Sequence, residues 1–135
     1  MIGYDFHPEA RLDVDDIWEF IAADNLAAAD RLTSEIFGAI RALVHFPHQG
    51  HRRPDLTSRP LRFISVREYL IAYAPEEKPL WIIAVMHGRR SPRVMAAILR
   101  GREESSFRPF TARRESLLRF QATPGSYAEV EIPFL

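Results

Sequence analysis

The stretch LRFISVREYLIAYAPEEKPLWIIAVM, residues 61 to 86, decides the fold. Leu61 to Val66 and Tyr69 to Ala74 are rich in β-branched and aromatic residues and are separated only by Arg67 and Glu68, which is hairpin spacing. Pro75 to Pro79 is a second loop of hairpin length, and Leu80 to Met86 follows as a third strand. Three strands with two short connections predict an antiparallel meander. The third strand is apolar at every position, so it is expected to lie centrally, covered on both faces.

Working outward toward the N-terminus, Pro47 to Pro60 collects proline, histidine and arginine and reads as a loop. Before it, Ala29, Leu32, Ile36, Ile40 and Leu43 recur at helical spacing, with Asp24 and Asn25 as cap residues and a stop near Phe46 imposed by Pro47. Ala10, Val14, Ile17 and Ile21 make a second apolar stripe. Its helix starts at Pro8 behind a His7 cap and ends near Ala23. The short link between the two stripes predicts a helical hairpin. Ile2 to Phe6 alternates as a half-buried strand.

Toward the C-terminus, Ser91 and Pro92 offer a cap and first-turn proline for a helix from Arg93 to Arg100, ended by Gly101. The sequence thus predicts an α+β unit over 1–102 and an extension over 103–135. That extension carries a short helix (112–122), a turn, and an alternating edge strand (127–134).

Composition closes several classes. The 135 residues contain no cysteine, which excludes zinc-finger and disulfide scaffolds. No apolar run reaches the roughly 18 residues of a membrane span, and the N-terminus lacks a secretory pattern, so a cytoplasmic protein is expected. Eighteen basic and eighteen acidic side chains cancel, but not locally. Residues 1–48 hold three arginines against nine acids, whereas 49–102 hold eleven basic residues against four acids, a net +7 beside a net −6. The acids belong to the helical hairpin and the arginines to the sheet and last helix.

Six motifs then fall in order: Phe6-His7-Pro8-Glu9-Ala10; Asp13 to Trp18 with Ile21-Ala22; Ala28-Ala29; Phe46-Pro47-His48-Gln49-Gly50 with Arg53 and Asp55-Leu56; Leu61-Arg62 with Tyr69 to Tyr73; and Val85-Met86-His87-Gly88-Arg89-Arg90. Together, over residues 2 to about 100, they resemble ParE toxins of the ParE/RelE toxin-antitoxin superfamily. The resemblance implies a bacterial, plasmid-stabilising toxin that binds DNA gyrase without catalytic residues and is neutralised by a ParD-like antitoxin in a hetero-oligomer. ParE sequences commonly carry an aspartate after the His-Gly-x-Arg motif, where this chain has Ser91 and Pro92.

The residues offered to a partner are Trp18, Arg62, Arg67, Tyr73, His87, Arg89 and Arg90. The alternative is a RelE-like, ribosome-dependent mRNA endonuclease, with Arg62, Arg67, His87 and Arg89 as its catalytic set. Metal-free RNA cleavage needs a base, an acid and cations on the phosphate. Here the single lysine, Lys78, sits in a loop, the last helix has no tyrosine, and arginine is a poor base because it stays charged. No cofactor or metal is expected. Asp13, Asp15 and Asp16 read as a solvated helix face, and His45, His48 and His51 lack the partners of a metal site. The basic segment should steer an acidic, initially flexible antitoxin. The segment 111–135 is similar to antitoxin tails of the superfamily, so it is either a self-masking arm or else a plain edge strand or an oligomer contact.

Overall fold

The computed structural model describes residues 3–105, with side chains from 3 to 102. Seven elements follow in order: β1 (Tyr4–Phe6), α1 (Pro8–Ala22), α2 (Leu26–His45), β2 (Arg62–Val66), β3 (Tyr69–Ala74), β4 (Leu80–His87) and α3 (Pro92–Ser105). The fold is α+β. The sheet order is β1-β4-β3-β2, with β2, β3 and β4 an antiparallel meander and β1 parallel to β4. The fully apolar strand is indeed internal.

Local chemistry sets the helix ends. The His7 ring accepts from the Glu9 N–H through Nδ1 at 3.0 Å, so a buried imidazole caps α1 and Pro8 follows at the first helical position. Asn25 accepts from the Ala28 N–H at 3.0 Å and starts α2, whose backbone bonding closes at Phe46 before Pro47. Ser91 caps α3 through its Oγ, 3.2 Å from the Val94 N–H. One boundary departs from the sequence reading. Helix α3 does not stop at Gly101 but runs through it to Ser105. A single glycine costs about 1 kcal/mol in a helix, which neighbouring turns can carry. The predicted elements at 112–122 and 127–134 lie outside the described residues.

Two apolar layers sandwich the sheet. On one face Ala10 and Val14 of α1 and Leu32, Ile36, Ile40 and Leu43 of α2 pack on Ile71, Tyr73, Leu80, Ile82 and Val85. Ile36 and Ile40 are fully buried and each contributes about 2 kcal/mol by leaving water. On the other face Met95 and Leu99 of α3 join Leu56, Leu61, Phe63, Leu70, Trp81, Ile83, Ala84 and Met86. Hairpin and last helix therefore cover opposite faces, and the acidic and basic segments separate with them.

A bulge in β4 breaks its alternation. Tyr73 pairs with Ile82 and Ala72 with Ala84, leaving Ile83 without a counterpart. Ile83 and Ala84 consequently face the same layer, and Val85 returns to the hairpin side. Past Phe6 the short β1 strand no longer lines β4. At this edge the Ile83 C=O accepts from Arg102 at 3.0 Å and the Val85 N–H donates to Asp13 at 2.9 Å. An ion pair thus finishes a strand edge that β1 leaves open.

Candidate partner-binding site

The sequence-predicted residues divide by what they touch. Tyr73 is fully buried. Its hydroxyl donates to the Pro47 C=O at 2.7 Å and accepts from the Gly50 N–H at 2.9 Å. It holds the 47–60 loop and offers no surface to a partner, which corrects its reading as a contact residue. Burial raises the Tyr73 phenol above its ordinary value, while the Gly50 contact and the charge of Arg62 oppose that shift. A Cβ on Gly50 would lie 2.7 Å from both the Phe63 carbonyl oxygen and the Tyr73 hydroxyl, so only glycine fits.

Arg62 is the Cα partner of Tyr73 and serves the same loop, donating through Nη1 to the Gly50 C=O at 2.7 Å. The His51 and Phe63 backbones close the clamp with bonds of 2.8 and 2.9 Å. Arg67 begins the two-residue turn between β2 and β3 with a φ of 55° and binds Glu35 of α2 through Nε at 2.6 Å and Nη2 at 2.9 Å. That bond raises the Arg67 guanidinium and lowers the Glu35 carboxyl. The pair stays largely exposed.

His87 ends β4, with Nδ1 accepting from the Arg89 N–H at 3.1 Å and Nε2 3.4 Å from a Glu68 carboxylate oxygen. Its ring stands edge-on to Tyr69, centroids 5.1 Å apart. Gly88 bonds the Glu68 C=O through its N–H at 2.7 Å, and a Cβ there would stand 3.2 Å from that oxygen. The glycine thus serves close approach between two turns. Beyond it Arg89, Arg90 and Arg93 are exposed, and among the described residues no ion pair or hydrogen bond engages their guanidinium groups.

Trp18 lies on the hairpin, half-buried, with its Nε1–H donating to Asp30 at 2.8 Å. Together with Thr33, Ser34, Phe37 and Arg41 these two residues line an open groove between the helices. Phe20, 77% exposed, and Leu12 add apolar surface to α1.

Sequence reasoning missed the most heavily bonded polar group. Asp13, read as solvated, takes Arg102 through two bonds of 2.7 and 3.0 Å in addition to the Val85 N–H. Arg102 is only 9% exposed and also approaches Glu9 at 3.8 Å. Asp13 lies one residue before Val14, on the buried side of α1, and that offset was the available signal. Among the described residues no cluster of three or more His, Cys, Asp or Glu is placed to hold a metal ion, and no helix is long and apolar enough to cross a membrane.

A strand, a helical hairpin, a meander and a closing helix make up a RelE/ParE-like fold. The family model described as ParE toxin of type II toxin-antitoxin system, parDE, matches residues 4–92, and the chain belongs to that family. No curated protein matches it. Membership makes the chain the toxin of a toxin-antitoxin system and implies an antitoxin as its partner.

Proposed function

We propose that this toxin acts by binding and inhibiting DNA gyrase and is neutralised by a ParD-like antitoxin. Residues 1–102 carry the toxin domain, with 103–135 as an extension, and the protein works in the cytoplasm of a bacterium. The contact residues are Trp18, His87, Arg89 and Arg90, with Arg67 at the turn beside them in sequence order and Arg62 shaping the loop. One observation carries the choice of binding over RNA cleavage. Of the groups a nuclease would use, Arg62 is committed to the Gly50 backbone, Arg67 to Glu35 and His87 Nδ1 to the Arg89 N–H, Arg89 is left as an exposed cation, and the nearby Tyr73 phenol is held under the 47–50 backbone. A general acid or base must be within reach of the substrate proton, and a phenol buried under a loop is not. The exposed arginines can bind but not shuttle protons.

The test pairs two assays on the purified chain. Inhibition of gyrase supercoiling, with translated mRNA left intact, is the expected result. Full supercoiling activity together with codon-phased mRNA cleavage overturns the proposal in favour of the RelE-like endonuclease.

A further inference from the structure

The corner before α3 concentrates positive charge against the local electrostatics. Arg89 and Arg90 precede the helix, Arg93 stands in its first turn, and that turn contains no acid. A helix N-terminus is itself electropositive, so cations there repel it and each other unless an anion is present. Glu68, whose backbone meets Gly88 of this corner, sets its carboxylate toward His87 instead. Arg100 extends the charge along the solvent side of α3 beside exposed Ala97. From Arg93 to Arg100 the helix rises about 10 Å, comparable with the axial rise of about three nucleotide steps of one DNA strand.

We propose that Arg89, Arg90, Arg93 and Arg100 form a docking strip for the sugar–phosphate backbone of duplex DNA. Three observations select that occupant. The strip has one exposed large apolar side chain, Val94, whereas Leu12, Phe20, Leu26 and Phe46 lie on or at the end of the hairpin helices. An acidic polypeptide that folds on binding needs apolar burial to offset its ordering, and the strip offers little. Single strands bind by stacking bases on aromatic side chains, and the strip carries none. Duplex backbone asks only for guanidinium and hydrogen-bond donors, and the acidic hairpin lies across the sheet from it. This goes beyond gyrase binding and does not rest on it.

The test measures binding of the full chain to a labelled mixed-sequence duplex by fluorescence anisotropy over a salt series, with no gyrase present. The chain has zero formal net charge, so bulk attraction does not supply the signal. The expected log–log salt slope is about −3, for three to four phosphate contacts. The triple variant R89A/R90A/R93A should bind at least about tenfold more weakly at low salt, with a slope near −1. The matching triple lysine variant should keep the slope, since lysine supplies the same charge without the fork geometry. An unchanged slope in the alanine variant overturns the proposal. So does polyglutamate bound as tightly as the duplex and lost in the same variant, which assigns the strip to an acidic polypeptide. Tighter binding of single-stranded DNA of the same length also overturns it.

Discussion

Arg102 and Arg93 sit nine residues apart on one helix and have opposite surroundings. Arg102 is buried against Asp13 and the Ile83 carbonyl, while Arg93 is exposed in the first turn and pairs with no acid among the described residues. The residue type is the same, but one guanidinium completes a strand edge and the other is left for something outside the fold. A segment charge of +7 cannot separate them, because it counts both equally. Arg53 beside Asp55, Arg62 on Gly50 and Arg67 on Glu35 belong with Arg102 on the internally engaged side. Arg89, Arg90, Arg93 and Arg100 form the other group.

The strongest test of that division is to delete one member of each. Replacing Arg102 with Met leaves the Asp13 carboxylate and the Ile83 carbonyl buried without their cation, and should cost about 3 kcal/mol or more in urea unfolding. Adding Asp13→Asn to Arg102→Met should cost less than the two single changes combined, because each removes the other's partner. Arg93→Ala should shift stability by no more than about 0.5 kcal/mol. Similar losses for Arg102 and Arg93 would erase the distinction.

A smaller effect separates buried from exposed members of the predicted contact set. Tyr73→Phe removes a hydroxyl that satisfies both the Pro47 carbonyl and the Gly50 amide, at a cost of about 2 kcal/mol. The pH dependence has a definite sign. Burial raises the Tyr73 phenol in the folded state, so the folded protein keeps that proton longer than the unfolded chain. Stability is then full below the ordinary phenol value of 10.0 and falls as pH rises through the folded value. Tyr73→Phe should flatten this decline above about pH 10 in urea midpoints. Tyr4 and Tyr69, also raised by burial, contribute in the same direction.

Much of the fold was legible because periodicity, caps and turn lengths agreed. The Ala29 to Leu43 stripe is the buried face of α2, Asn25 is its cap, and the Arg67-Glu68 link is the hairpin turn. The parallel pairing of β1 with β4 was not legible, since two distant strands carry no local mark of their pairing. Nor was the Ile83 bulge, because every neighbour in β4 is apolar and alternation cannot be seen to fail. Without the bulge, nothing calls for a side-chain pair at the Val85 edge, so Asp13 reads as solvated. The candidate site was legible only in part for a related reason. The motif residues Gly50, Arg62 and Tyr73 mark a loop clamp, and a family motif looks the same in sequence whether it holds the fold or meets a partner.

Arg67 tests the boundary between the two groups most sharply, because it is engaged and exposed at once. Its backbone lies at a φ of 55°, a region glycine enters freely and arginine only with strain. Its side chain binds Glu35 in solvent, where ion pairs contribute little and salt weakens them. Arg67→Gly therefore relieves the turn and forfeits an exposed pair, with the added freedom of glycine in the unfolded chain opposing the gain. The expected unfolding midpoint is unchanged or higher, and the comparison with the parent chain should favour the variant increasingly as salt is added. Acid should separate them as well. Arg67 holds the Glu35 carboxyl below its ordinary value, so the pair's contribution is present above the unfolded carboxyl's value and is lost as pH falls through the folded one. Arg67→Gly should lose that dependence. A clear loss of stability in the variant at high salt would place Arg67 with Arg62 and Arg102 as a structural residue, leaving the corner before α3 as the source of free positive charge.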